Sequence, residues 1–296
     1  FFLNTKDYRS ALKDNAKYQE SIHDVNIEKK SEHRLAVVVH LYYQEKWPMI
    51  EDRLKLLKQQ TDFDLFVTVK ESEDSDVASN IRKSYPEACI FKVPNRGRDV
   101  LPFLYVIRIV SKLNYEFILK IHSKKSLHRE DGGDWFESIL NDLIPSDSNL
   151  LKEIVNRIED KDVHFIGPGE QYIPLTVNYS SNFFYVNKVM KSLITKRKRQ
   201  IIQRNPEKFG FFAGTMFWAR TSAFKEFLAK GYTCTSFRSE KGLIDATMAH
   251  ALERMFIVNA EIKGKSIYVT KDGFLNKTTY ETTNIPAWSD INIRTK

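Results

Sequence analysis

Leu35-Ala-Val-Val-Val-His-Leu41 is the segment that most restricts the fold. A run that is β-branched at its centre, bounded by charges and lacking polar–apolar alternation suits a strand buried on both faces, the signature of a parallel sheet. The pattern continues downstream. Pro48, with Ile50, Leu54 and Leu57 at helical spacing, predicts an amphipathic helix, and Asp64–Val69 predicts a second strand. A helix over 77–84, a third strand at Cys89–Val93, a helix from Pro102 to Val110 and a fourth strand at Tyr115–Ile121 follow. This alternation predicts an α/β, Rossmann-type, mostly parallel sheet with helices on both faces. Ligands of such sheets bind at the carboxyl ends of the strands, so the segments after His40, Val69, Val93 and Ile121 should share one cleft.

The second half is less regular. Residues 134–144, 148–159 and 243–256 read as helices and 187–204 as a basic helical stretch, while His164–Gly167, Phe211–Arg220 and Lys265–Thr270 read as strands. Residues 1–33 are charge-dense and are expected to form a loose helical arm or linker, with the main domain over 34–275 and a tail over 276–296. A start on Phe1-Phe2 without Met is expected of a piece of a longer protein, with further modules as the partners expected beside it.

Composition narrows the function classes. No apolar run reaches about 18 residues, so no transmembrane helix is predicted. The polar Asn4, Lys6 and Asp7 directly after Phe1-Phe2-Leu3 do not make a signal peptide. Cys89 and Cys234 are the two cysteines, too few for a disulfide framework or a zinc site, which suggests a reducing compartment. Lys plus Arg number 46 against 38 Asp plus Glu, a net +8 that should attract an anion: nucleic acid, a membrane face or a phosphate-bearing small molecule. No nucleic-acid recognition module and no broad basic stripe accompanies the charge, so nucleic acid is not expected as a partner.

Five segments can carry chemistry and a sixth can meet a membrane. Asn95-Arg96-Gly97-Arg98-Asp99 lies between a strand and a helix, where a tight turn, a helix N-terminus and two guanidinium groups would grip a diphosphate. Asp99 can alternatively cap that helix. Lys120-Ile-His122-Ser-Lys124-Lys125 follows the fourth strand, and strand alternation puts Lys120, His122 and Lys124 on one side. The position that holds a metal-binding Asp-x-Asp in GT-A nucleotide-sugar enzymes is basic here, which predicts leaving-group stabilisation without a divalent metal or other cofactor. Asp134 and Trp135 follow a Gly132-Gly133 turn; the carboxylate can serve as a base or a helix cap, and the indole can stack on a sugar or join the core. Gly214 interrupts an aromatic strand at a point of close approach. Asp245, His250, Glu253 and Arg254 share one helical segment, either as acceptor base and substrate contacts or as a cap and surface ion pairs. The stretch 188–204 carries seven basic residues, no acidic one and interleaved apolar positions, the make-up of a solvated basic helix or of a segment on an anionic membrane face.

Taken in order, Val38–Tyr43, Asp64–Val69, Asn95–Asp99, Leu119–Lys125, Gly214–Arg220 and His250–Arg254 resemble the rhamnan synthesis protein F family, over roughly 35 to 257. The resemblance implies a GT-A-like, cytoplasmic glycosyltransferase, often for rhamnose, that uses a nucleotide-diphosphate sugar and extends a lipid-linked bacterial surface polysaccharide. On that reading His40, Tyr42 and Tyr43 would hold the nucleobase. Asn95, Arg96, Arg98, Asp99, Lys120, Lys124 and Lys125 would surround the diphosphate, with His122 stabilising it as it leaves. Asp245, otherwise Asp134, would deprotonate the acceptor in an inverting displacement, with Trp135, Gly214, His250, Glu253 and Arg254 as further substrate contacts. A non-catalytic scaffold or acceptor-binding module of a polysaccharide synthase is the alternative.

Overall fold

The computed structural model describes residues 3–23, 33–71, 75–123, 132–240 and 245–278. Helix α1 (Thr5–His23) precedes the alternating half, which comprises β1 (Leu35–Leu41), α2 (Trp47–Lys58), β2 (Phe63–Lys70), α3 (Ser75–Ser84), β3 (Cys89–Val93), α4 (Val100–Lys112) and β4 (Phe117–His122). Next come α5 (Gly132–Leu143), α6 (Ser148–Ile158), β5 (Val163–Pro168), β6 (Tyr172–Pro174), α7 (Tyr179–Leu193) and α8 (Lys196–Arg204). The chain continues through β7 (Gly210–Phe212), β8 (Phe217–Arg220), α9 (Lys225–Ala229), α10 (Met248–Glu261), β9 (Ser266–Lys271) and β10 (Phe274–Lys277).

Eight strands form one sheet in the order β10-β9-β5-β8-β4-β1-β2-β3, and β6 pairs with β7 separately. The β1–β2, β1–β4, β2–β3 and β5–β9 pairs are parallel, whereas β8 runs antiparallel to β4 and β5, and β10 to β9. The mostly parallel α/β sheet expected from the alternation is the one observed.

Strand β1 shows why its sequence is apolar throughout. Ala36 and Val38 enter the core under α4, α7 and α10, whereas Leu35, Val37, Val39 and Leu41 enter the core under α2, α3, α5 and α6. Each face therefore has its own helical layer. Trp135, at the start of α5, is half-buried against the second of these cores.

Three expectations change. Residues 5–23, expected in a loose arm, form a helix that packs on the body: Ala11 and Tyr18 are buried, and the Tyr18 ring stacks on Tyr105 at 4.1 Å. The strand expected over Phe211–Arg220 is broken into β7 and β8, because Gly214 and Thr215 take φ values of 95° and 53°. The basic helix expected over 187–204 is two helices, parted where Ile194 and Thr195 are extended. Among the described residues, no helix is long and apolar enough to cross a membrane.

Candidate active site

A polar row crosses the carboxyl ends of the central strands. In the register of β2, β1 and β4, Thr68 lies beside His40 and His40 beside His122. Strand alternation turns all three, and Lys120 one step earlier, toward the α4 and α10 layer. His40 Nδ1 lies 2.8 Å from Thr68 Oγ1. Burial pushes the His40 imidazole down to about 3, against the nearby Asp99 charge, so it is neutral at physiological pH. The row is covered, not open: His40, Lys120 and His122 are all buried.

Lys120 is the centre of this arrangement. Its ammonium donates to Asp99 Oδ2 at 2.5 Å and to the Thr215 carbonyl at 2.6 Å, beneath the rings of Phe103 and Phe217. Burial alone would raise the Asp99 carboxyl. The charges of His122 and Lys120 and the Lys120 hydrogen bond outweigh it and hold Asp99 well below the usual carboxylate range. Asp99 precedes α4 yet makes no side-chain cap bond, so the capping role expected of it gives way to this ion pair. His122 Nε2 bonds to the Gly214 carbonyl and lies 3.9 Å from Asp99 Oδ2. The left-handed turn at Gly214–Thr215 thus aims two carbonyls at two basic groups of β4.

The opposite wall is the start of α10. Thr247, not Asp245, caps this helix, its hydroxyl accepting from the His250 N–H. Asp245 accepts the Ala246 N–H at 3.1 Å, and its oxygens lie 3.8 Å from His250 Nδ1 and 3.5 Å from Arg254 Nη2. The expected ion pairs among these groups exist, but they are buried and not at the surface: His250 and Arg254 are 8% and 4% exposed. Arg254 lies over the Phe211 ring at 4.6 Å and donates to the His250 carbonyl at 3.0 Å, while its buried Nε has no hydrogen-bond partner. Burial and then the Arg98 charge push His250 down to about 4 despite Asp245. The Asn95–Asp99 loop and the α10 N-terminus therefore meet, although about 150 residues separate them in sequence. Glu253 joins this wall to the turn between β7 and β8 by accepting the Gly214 N–H at 2.7 Å.

Arg96 does something other than the diphosphate role expected of it. It is 2% exposed, and its five N–H donors reach Asp14, Asp7, the Phe237 carbonyl, Ser10 and Ser239 at 2.7–3.2 Å. Asp7, Ser10 and Asp14 lie along one stripe of α1, so Arg96 ties that helix to the loop. Arg98 is half-exposed in left-handed conformation, with Nε 3.6 Å from Glu240 Oε2. Glu240 also accepts the Gly97 N–H at 3.0 Å, where an incoming anion was expected. Asn95 is exposed at the end of β3. Tyr42 and Tyr43 are half-buried at the rim, with the Lys70 ammonium 4.3 Å from the Tyr42 ring centre. The Tyr43 N–H donates to Ser123 Oγ at 2.7 Å. Lys124, Lys125 and the Asp134 side chain lie outside the described residues. Sequence reasoning missed Glu240 and the α1 acids, which belong to no local motif, and the role of Thr215, which stands inside the Gly214–Arg220 motif but acts through its carbonyl.

The rhamnan synthesis protein F family matches residues 8–264, which takes in most of α1 and every strand through β8. The chain belongs to this family. The match reaches further at both ends than the motifs alone indicate, and α1 falls almost wholly inside it. Two relatives, the uncharacterized protein WxcX of Xanthomonas campestris pv. campestris strain B100 and of strain ATCC 33913, are each 31% identical over 221 residues. That alignment covers 74% of this chain and 30% of each relative, so the chain spans about 30% of the length of the curated proteins it matches. Among solved structures, the mannosyltransferase PcManGT from Pyrobaculum calidifontis, in complex with GDP-Man and Mn2+, aligns with a TM-score of 0.43 and 13% identity. This covers 91% of the present chain and 65% of that one.

Proposed function

We propose that this chain is a GT-A-like glycosyltransferase domain that moves a sugar, L-rhamnose on our reading, from a nucleotide-diphosphate donor to a growing lipid-linked bacterial surface polysaccharide. The observation that carries the reading is the meeting of Asp245, His250 and Arg254 with Arg98, Asp99 and Lys120 at the carboxyl ends of the parallel strands, in a chain of the rhamnan synthesis protein F family. The site of action is the cytoplasmic face of the membrane, reached by peripheral contact through 188–204.

In this mechanism Asp245 takes the proton of the acceptor hydroxyl, whose oxygen attacks the anomeric carbon as the bond to the diphosphate breaks. Arg98, Lys124 and Lys125 take up the charge that develops on the leaving diphosphate, with His122 assisting. Tyr42 and Tyr43 flank the base at the rim. A single displacement inverts the anomeric centre, so a β-L-rhamnosyl donor yields an α-linkage. No divalent cation enters the proposal, because the end of β4 offers Lys120 and His122, and Asp99, the carboxylate beside them, is paired with Lys120. Hard cations need several oxygen ligands, and this set supplies an ammonium in their stead.

Thermal-shift screening against a panel of nucleotide sugars, followed by transfer to a lipid-linked acceptor with and without EDTA, tests the proposal. Stabilisation by a dTDP-sugar and EDTA-resistant transfer are expected. Transfer that vanishes in EDTA and returns with manganese refutes the metal-free mechanism, and no stabilisation by any nucleotide sugar refutes the function.

A further inference from the structure

Helices α7 and α8 present a surface that the reaction does not use. No acidic residue occurs between Glu170 and Glu207, a span that holds seven lysines and arginines. Of six large apolar side chains left exposed among the described residues, three fall on this helix pair: Phe183 at 44%, Phe184 at 49% and Ile201 at 45%. Their placement follows helical spacing. On α7, Phe184, Lys188 and Lys191 stand at i, i+4 and i+7 on the exposed side, while Val186, Val189 and Met190 are buried. On α8, Arg197, Ile201 and Arg204 repeat the same spacing on the exposed side, and Ile202 is buried. Gln203 donates to Asn187 Oδ1 at 2.9 Å, which joins the two helices.

A solvated helix has no use for two exposed phenylalanines. A nucleic-acid groove reader would present base-stacking aromatics within a recognised module, and none occurs. Aromatic and aliphatic side chains set among cations, on two helices that carry no carboxylate of their own, match the interfacial zone of a bilayer with anionic headgroups. We propose that α7 and α8 form a docking surface for an anionic lipid bilayer, with Phe183, Phe184 and Ile201 entering the headgroup region and the basic residues lying on the phosphates. The surface also adjoins the reaction site: Asn182, next to Phe183, accepts the Ala246 N–H at 3.1 Å, one residue from Asp245. A lipid-linked acceptor would thereby arrive beside the base, a step that rests on the function proposed above.

The test is co-sedimentation of the intact chain with vesicles of phosphatidylcholine alone or mixed with phosphatidylglycerol, using wild type, Lys196→Glu/Arg197→Glu and Phe183→Ser/Phe184→Ser. All four positions are exposed or half-exposed, so the variants should fold, and circular dichroism checks this. Binding only to the mixed vesicles is expected, weakened at least about tenfold by the charge reversals. The serine variant should lose the part of the binding that survives high salt. No binding to mixed vesicles, or binding unchanged in both variants, overturns the docking surface. Equal affinity for duplex DNA, indifferent to the serine substitutions, overturns it in favour of a soluble polyanion. Transfer to a short water-soluble acceptor, measured in parallel, separates the two readings: turnover without vesicle binding refutes only the docking surface, and vesicle binding without turnover refutes only the enzyme.

Discussion

The Lys120 ammonium lies 2.5 Å from an Asp99 carboxylate oxygen, with the lysine side chain buried and the aspartate side chain 13% exposed. Removing one partner of such a pair leaves a bare charge in a low-dielectric interior, a far larger loss than the net worth of the pair. Lys120→Met should therefore destabilise the fold by about 3–5 kcal/mol in denaturant titration. Lys120→Met with Asp99→Leu should recover much of that loss. The Asp99 value is depressed in the folded state, so unfolded chains bind the proton first. The pair's stabilisation is complete above about pH 4 and falls away as the pH drops below it. Asp99→Asn should remove that acid dependence.

Arg96 governs the attachment of α1. With all five donors engaged and 2% exposure, Arg96→Ala strands Asp7 and Asp14 without their cation. Limited proteolysis should then cut within 5–23 far faster than in the wild type, with a stability loss of about 3–5 kcal/mol. Arg96→Lys should not rescue it, because one ammonium cannot reach five acceptors. A variant that loses turnover while α1 stays protected would return Arg96 to the donor site.

Two buried histidines set the acid limit of the fold. Folded-state values of about 3 for His40 and about 4 for His250 lie below the ordinary value near 6.5. Unfolded chains bind these protons first, so stability rises with pH from about 4 to 6.5 and is lost on acidification through that window. Each histidine contributes a slope of about 1.4 kcal/mol per pH unit there. His40→Asn should flatten the curve by one such slope, measured by urea midpoints at each pH. Arg98→Gln should raise the His250 value, read from its ring proton shifts, because that guanidinium helps to disfavour the imidazolium.

The parallel half was legible in the sequence because each of its strands is a short apolar run bounded by charge or turn residues, a local signal. Strand β4 came within two residues of its bounds, Tyr115–Ile121 expected against Phe117–His122 observed. Strand β10 carried no such signal: Phe-Leu-Asn-Lys is half polar, largely exposed and, among the described residues, paired only with β9. The break between β7 and β8 was half-visible, since Gly214 marked the spot, but Thr215 at positive φ is set by the carbonyl it must turn toward Lys120. The site divides in the same way. His250, Glu253 and Arg254 were readable as one helical cluster, whereas Asp245, expected in the same helix, lies in the bend before its Thr247 cap. The partners of Arg96 were not, because they stand 82–143 residues away and only tertiary packing brings them together.

The base assignment is the part of the mechanism most open to direct test. Asp245→Asn keeps an oxygen able to accept the Ala246 N–H, so the loop before α10 should hold its shape and the melting temperature should stay near wild type. What the amide cannot do is accept the acceptor's proton. Turnover should fall at least about 10²-fold with donor affinity unchanged, a kcat effect without a KM effect. Arg98→Ala is the control for the leaving-group side: it should lower kcat by a similar factor and weaken binding of the nucleotide diphosphate as well. Glu253→Gln leaves the Gly214 N–H an acceptor but removes the charge beside Arg254, and should cost turnover less than either. Wild-type turnover in Asp245→Asn would remove it from the chemistry and pass the role to Asp134, whose own Asn variant would then have to show the loss.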